Sequence, residues 1–237
     1  MHESSIGAAA RCAIALLAPV FSGLVMGQTE NVIQVQYESF KVYAPVELVL
    51  GHDLDDWSAE WQKWYISIPA STNPALHNDI SCSSAQSGPV WFLPSGVNKT
   101  CVVPPGKLLL LTLINTECSN VEAPPFFGTT EEARESCAES FIKDVGLRTL
   151  KLTIDGVPAL NLSKYRTESP QYFFRMPATD NVLGVTSGAT SGLSVSDGYF
   201  MFIHLAPGRH VLHAEAALVS GPFAGFSQIT DYAFAQM

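Results

Sequence analysis

The sequence carries few positive charges. Its 237 residues include 13 Lys and Arg against 22 Asp and Glu, which gives a net charge of −9. Binding to nucleic acid or to an anionic membrane surface depends on Lys and Arg side chains that neutralise phosphates. The composition therefore argues against both kinds of partner. With 47% hydrophobic residues, the chain is also too apolar for an intrinsically disordered protein.

Long apolar runs and familiar catalytic motifs are also scarce. The apolar run at residues 108–111 is far shorter than the roughly 20 residues that span a bilayer, and it is typical of a strand buried on both faces. The sequence contains no Gly-x-Ser-x-Gly, His-Glu-x-x-His or P-loop motif, and no Cys-x-x-Cys pair of the kind found in zinc and redox sites. No local motif therefore identifies a substrate.

The N-terminus has the features of a secretory signal peptide. An uncharged apolar stretch at residues 12–26 follows Arg11 and ends beside the small residue Gly27. The stretch is short for a membrane span, and Pro19 disfavours a stable helix, although an uncleaved anchor is an alternative. We predict cleavage after Gly27. Residues 28–237 would then form one secreted domain, or a periplasmic one in a bacterium, with no membrane span.

Four cysteines remain after this cleavage: Cys82, Cys101, Cys118 and Cys137. In an oxidising compartment, an even number of cysteines predicts two disulfides. Four cysteines allow three pairings, and we favour Cys82–Cys101 and Cys118–Cys137 because neighbours in sequence usually meet first. Each bridge would stabilise the fold by roughly 3 kcal/mol. If the source is eukaryotic, Asn98 and Asn161 are glycosylation sequons.

Most of the mature chain is typical of short strands separated by turns. Alternating patterns at residues 33–37 and 150–154 indicate half-buried strands, and residues 90–93 and 226–234 indicate two more. A hairpin is predicted after Ile154, with a three-residue loop that pairs Leu152 with Leu160. The alternative is a two-residue loop, which would oppose Lys151 to Leu160.

A second hairpin is predicted to turn at Pro207-Gly208 and to set Leu205 opposite His210. Its core face would consist of alternating apolar residues: Tyr199, Met201, Ile203, Leu205, Leu212, Ala214, Ala216 and Leu218. Its other face would carry Phe200, Phe202, His204, Val211, His213 and Glu215. The two phenylalanines on that second face predict that it is either covered by another element or part of a groove.

Two segments have helical spacing. Residues 56–66 repeat aromatic side chains at helical intervals, with Ser58 expected near the start, and residues 130–143 follow a capping box formed by Thr129 and Glu132. Strands with only two short helices predict an all-β fold. The expected architecture is a two-sheet antiparallel sandwich, jelly-roll-like, with two short helices.

Several spaced motifs resemble those of a group of uncharacterised secreted proteins. The motifs are Trp57-x3-Trp61-x2-Trp64, the segment at residues 86–93, Cys101-x2-Pro104 and Asp155-Gly156-Val157-Pro158. They span most of the mature chain. The group has no established activity, so the resemblance implies secretion and a single domain and assigns no catalytic residue.

The aromatic side chains Trp57, Trp61, Trp64 and Tyr65 are the first candidate site. Flat rings suit the apolar faces of sugars, so these residues could form a stacking platform for a glycan. The alternative is that the helix buries this stripe in the core.

A second candidate is the set His204, His213 and Glu215, which the predicted hairpin places on one face. Two imidazoles and a carboxylate are a common ligand set for zinc or iron, although ordinary residues on a solvated face are the alternative. Two weaker candidates follow: a calcium site at Asp53, Asp55, Asp56 and Glu60, and an acid/base pair at His77 and Asp79.

These features favour a secreted binding module whose ligand is a glycan or surface polymer. The alternative is a secreted hydrolase or lyase that uses a histidine and carboxylate site, with or without a metal, on the same scaffold.

Overall fold

The computed structural model describes residues 39–143, 150–218 and 225–236. The predicted signal peptide and the strand predicted at residues 33–37 lie outside these ranges. The described residues form helices α1 (Leu54–Ser67) and α2 (Glu131–Ile142) and the strands β1 (Phe40–Val42), β2 (Val90–Leu93), β3 (Asn98–Val103), β4 (Leu108–Ser119), β5 (Lys151–Ile154), β6 (Val157–Pro158), β7 (Arg166–Glu168), β8 (Tyr172–Arg175), β9 (Ser191–Leu205), β10 (Gly208–Ala217) and β11 (Ser227–Gln236). Among the described residues, none of the helices has the length and hydrophobicity to cross a membrane.

The strands form two sheets that share one hydrophobic core, as predicted for a sandwich. The first sheet has the order β1-β9-β4-β2, with β7 and β8 also paired to β9, and the second has the order β3-β11-β10-β5-β6. The prediction of purely antiparallel sheets is wrong, because β2 pairs in parallel with β4 and β3 pairs in parallel with β11. After β2 the chain crosses to the second sheet and then returns, so β4 runs in the same direction as β2. The jelly-roll arrangement stays a prediction.

The hairpin predicted at Pro207 is wrong, because β9 and β10 lie in different sheets. The chain crosses between the sheets there, and the buried ring of His210 holds the crossing: its Nδ1 lies 2.8 Å from Asp155 Oδ2 and its Nε2 lies 2.8 Å from Ala206 O. The predicted core face is nevertheless buried along both strands. Alternation of apolar residues thus identified the buried side of each strand but not its partner.

The register predicted for the first hairpin is also wrong. Ile154 pairs with Val157, which leaves the two-residue loop Asp155-Gly156. Both loop residues have positive φ, 53° and 78°, as a type I′ turn requires. Leu160 is therefore not opposite Leu152, and its side chain is 72% exposed.

Helix α1 covers the outer face of the first sheet. The ring of Trp57 lies 5.6 Å from that of Phe202, and the ring of Trp61 lies 5.9 Å from that of Phe200. These contacts confirm that the face with the two phenylalanines is covered. Because α1 packs on one side and the second sheet on the other, residues of β4 and β9 are buried on both faces.

Both predicted disulfides are present. Cys82 is bonded to Cys101, and Cys118 at the end of β4 is bonded to Cys137 in α2. The helix starts differ slightly from the predictions. Asp53, not Ser58, caps α1 by accepting from Asp56 N at 2.9 Å, and Thr130, not Thr129, caps α2 by accepting from Ala133 N at 3.2 Å.

Candidate ligand-binding clefts beside helix α1

The four aromatic residues of the predicted platform differ in burial. Trp61 and Trp64 are only 3% and 7% exposed, and their indole N–H groups donate to Leu93 O and Ala85 O, each at 3.2 Å. Trp57 and Tyr65 are partly exposed. Trp61 and Trp64 are therefore part of the hydrophobic core. Trp57 and Tyr65 line two clefts, one on each side of α1.

One cleft, which we name the charged cleft, has a volume of about 470 Å³. Helix α1 contributes Asp56, Trp57, Glu60 and Lys63 to its wall, and Phe173 lies among the lining residues of the β7–β8 region. Polar side chains are paired along the helix side: His52 Nδ1 lies 3.2 Å from Asp56 Oδ2, and Lys63 Nζ donates to Glu60 at 2.8 Å.

The other cleft, which we name the neutral cleft, has a volume of about 600 Å³. Its described lining residues include no charged side chain: Trp61, Tyr65, Ala75, Leu76, Pro94, Ser95, Gly96, Ile114, Asn115, Phe226, Ser227, Gln228 and Ile229. The ring of Tyr65 is held by stacking on Trp61, with 5.5 Å between the ring centres. The exposed fractions of Phe226 and Ile229 are 48% and 60%, so apolar surface faces solvent here.

Two amide side chains are held in fixed orientations on the wall of the neutral cleft. Gln228 Nε2 donates to Ser95 Oγ at 2.8 Å and also to Leu113 O. Because both hydrogens of that amide are used, its Oε1 is the atom with which it can accept a ligand hydroxyl. Asn115 Nδ2 donates to Thr112 Oγ1 at 2.7 Å, while its Oδ1 accepts from Gln62 at 3.1 Å. Such pre-positioned groups give a cleft specificity at low cost in side-chain entropy.

The structure does not bring His204, His213 and Glu215 together. His204 lies in the first sheet opposite Lys41, whereas His213 and Glu215 lie in the second. Both ring nitrogens of His213 face carboxylates: Nδ1 is 2.7 Å from Asp231 Oδ1, and Nε2 is 3.2 Å from Glu215 Oε1. Within the described ranges, no group of three His, Cys, Asp or Glu residues is arranged to hold a metal ion.

The side chain of His213 is expected to stay protonated at pH values above the ordinary pKa of a histidine, 6.5. Hydrogen bonds to Asp231 and then to Glu215 raise its pKa above 6.5. Because the folded-state pKa is raised, its contribution to stability is complete below about 6.5 and is lost as the pH rises through the folded pKa. NMR titration of the imidazole should show the raised pKa, and Asp231→Asn should lower it. An unchanged pKa in Asp231→Asn would contradict this assignment.

The four acidic residues of the predicted calcium site and His77 have other partners in the structure. Asp53 caps α1, Asp55 accepts from Thr167, Asp56 faces His52 and Glu60 accepts from Lys63, so the four acidic residues predicted for calcium are distributed among separate contacts. Burial, followed by the charges of Asp53 and Asp56, raises the pKa of Asp55. His77 Nε2 lies 2.9 Å from Ala70 O, and Asp79 is exposed. The sequons Asn98 and Asn161 both lie at exposed positions.

Sequence reasoning missed most of the neutral cleft. Asn115, Phe226 and Gln228 lie on β4 and beside or within β11, far from α1 in sequence, and no motif links them. Asp231 was missed for the same reason, since it meets His213 only through the register of β10 with β11.

Comparison with known proteins does not identify a family. No protein-family model and no curated protein matches this chain. Among solved structures, the chain has a match to the solution structure of amebosin, with 6% sequence identity over 62% of this chain and 96% of that chain. The TM-score is 0.19, which is too low to support an argument about fold or function.

Proposed function

We propose that the protein is a secreted binding module whose neutral cleft takes an uncharged saccharide unit of a glycan or surface polymer. One observation carries the proposal. A chain of net charge −9 contains a cleft of about 600 Å³ whose described lining residues are aromatic, aliphatic, amide or hydroxyl in character, with no charged side chain. Pockets for small ligands typically have about 300–1,000 Å³, so the cleft is large enough for one or two sugar rings.

The chemistry of the lining supports a sugar over a purely apolar ligand. The partly exposed ring of Tyr65 and the exposed ring of Phe226 can stack on the apolar face of a pyranose. Gln228, Ser95 and Asn115 supply amide and hydroxyl groups of the kind that bind sugar hydroxyls. The two disulfides support the proposed secretion, because disulfides persist mainly in oxidising compartments.

Phe226→Ala is expected to weaken binding of a neutral oligosaccharide by about 3- to 10-fold, which corresponds to the roughly 0.5–1.5 kcal/mol of an aromatic stacking contact. The saccharide would be selected on a glycan array, and the affinities measured by isothermal titration calorimetry. The matched control is Phe173→Ala, since Phe173 is 52% exposed against 48% for Phe226 but lines the charged cleft.

The control also locates the site. If Phe173→Ala weakens binding and Phe226→Ala does not, the saccharide occupies the charged cleft and the neutral cleft is not the site. A wild-type protein that binds no neutral saccharide on the array overturns the proposal.

A secreted hydrolase is the second candidate, because the charged cleft places two carboxylates beside an aromatic ring. Asp56 and Glu60 lie one helical turn apart next to Trp57, and His52 contacts Asp56. A pair of carboxyl groups is the usual machinery of glycoside hydrolysis. Release of new reducing ends from the same saccharides, with loss of that activity in Glu60→Gln, would favour this candidate.

A further inference from the structure

Two glutamates lie together beneath α1 on the first sheet. Glu117, in β4, is 8% exposed, and its carboxylate accepts a hydrogen bond from Ser194 Oγ. Glu122, in the connection from β4 to α2, is partly exposed, and its Oε2 accepts from Ser119 Oγ at 2.8 Å. Ser119 and Ser194, which donate to the two carboxyl groups, are directly opposite each other in the register of β4 with β9, so the two carboxyl groups lie side by side. Since two carboxylates so placed repel each other, the arrangement favours a proton on one of the two.

Buried hydroxyl groups surround this pair. Ser196 is directly opposite Glu117 in the register of β4 with β9, and Tyr172 is opposite Ser194 in the register of β8 with β9. The side chains of Ser196 and Tyr172 are both buried here, with Ser196 0% and Tyr172 4% exposed. The inner side of the pair is therefore lined by polar groups.

The charged groups that act on the pair are all acidic. Burial raises the pKa of Glu117, and burial followed by the charge of Glu117 raises the pKa of Glu122. Helix α1 contributes Tyr65 and strand β8 contributes Tyr172, and the pKa values of both phenols are raised by burial and by the two glutamates. No Lys, Arg or His among the described residues is a cause of either carboxyl shift. Two neighbouring negative charges, one of them buried, are unfavourable without a cation, so one proton is retained instead.

We propose that Glu117 and Glu122 share one proton, and that this proton fastens the β4–α2 connection beneath α1 and so supports the wall of the neutral cleft. The connection to the cleft is Tyr65, which lines it and which packs, like Val121 next to Glu122, against the buried cluster that includes Tyr172. Loss of the proton would place two like charges in contact and drive Glu122 outward to water. The regulatory part of this inference rests on the proposed saccharide site; the shared proton does not.

The sign of the pH effect follows from the raised pKa values. A carboxyl whose folded pKa is raised contributes its full stability below its unfolded pKa of about 4.5, and this contribution is lost as the pH rises through the folded pKa. Between those values the folded protein holds the proton and the unfolded chain has released it. The unfolding equilibrium constant therefore rises about tenfold for each unit by which the pH rises. The pair therefore makes the protein more stable, and the cleft wall better supported, in acid than in alkali.

Glu122→Gln is the informative variant, because a neutral amide copies the protonated acid and can donate to Glu117. Urea unfolding should show equal stabilities of wild type and variant near pH 4. Near pH 8 the variant should be more stable, with an unfolding constant at least about tenfold lower. Glu131→Gln removes an equal charge at an exposed position of α2 and should leave the wild-type pH slope unchanged.

The same proteins should be titrated with the neutral oligosaccharide near pH 8 and pH 11, below and above the raised pKa of about 10 of Glu122. Wild-type affinity should fall by about tenfold at the higher pH, and that of Glu122→Gln should fall less. If the saccharide binds but the pH slopes of stability coincide in wild type and Glu122→Gln, the shared proton is refuted and the binding function stands. If the slopes differ and no saccharide binds, the proton stands and the proposed function fails. Stabilisation by millimolar calcium that Glu122→Gln abolishes would show that a cation, not a proton, joins the pair, and would overturn the inference.

Discussion

Trp61→Ala is expected to lower the free energy of unfolding by about 3–5 kcal/mol, the usual cost of replacing a buried Trp by Ala. The side chain is 3% exposed, and its ring contacts those of Trp64, Tyr65 and Phe200 at 5.5–5.9 Å. Alanine would open a cavity between α1 and the first sheet. It would also leave Leu93 O without the indole N–H that now donates to it at 3.2 Å.

Urea unfolding monitored by circular dichroism would measure this loss, and the melting temperature should fall by about 6–20 °C for a chain of this size. Trp57→Ala is the control on the same helix. Because Trp57 is partly exposed, its loss should cost less. A loss below about 1 kcal/mol in Trp61→Ala would contradict the burial of this ring. Weakened saccharide binding in Trp61→Ala could not be read as loss of a direct contact, since the fold itself is weakened.

Local patterns predicted burial well and long-range partners poorly. The alternation through Met201, Ile203 and Leu212 identified the buried face of β9 and of β10, because each strand alternates independently of its neighbour. The pairing of those strands was wrong, since a Pro-Gly turn fits a crossing between sheets as well as a hairpin. Both disulfides were predicted because each joins cysteines only 19 positions apart.

The candidate site was predictable only in part. The stripe of aromatic residues located α1, but helical spacing alone could not show that the sheet covers Trp61 and Trp64 and leaves Trp57 and Tyr65 at the clefts. The residues that complete the neutral cleft come from β4 and β11, which reach α1 through sheet order and register. Those two properties depend on contacts between distant segments, which no periodicity in the sequence records.

Arg166→Met is expected to destabilise the protein by about 3 kcal/mol at neutral pH, because it leaves a buried carboxylate without its cation. Arg166 Nε donates to Asp197 Oδ1 at 3.0 Å, and Nη2 donates to Oδ2 at 2.6 Å. The Asp197 side chain is 1% exposed, whereas that of Arg166 is 32% exposed, so the carboxylate is the group that depends on the pair. Glu139 lies 3.7 Å from the same guanidinium and adds a second negative charge nearby.

The pH dependence distinguishes this cause from lost packing. Burial raises the pKa of Asp197 even beside Arg166, which acts to lower it, so removing the arginine should raise that pKa further. A raised carboxyl pKa lowers stability only above the unfolded value of about 3.8. Urea unfolding should therefore show a large loss in Arg166→Met near pH 7 and a small one near pH 3.5. Adding Asp197→Asn to Arg166→Met removes the buried charge and should recover much of the stability at neutral pH. An equal loss at both pH values, with no recovery in the double variant, would mean that Arg166 acts through the packing of its stem.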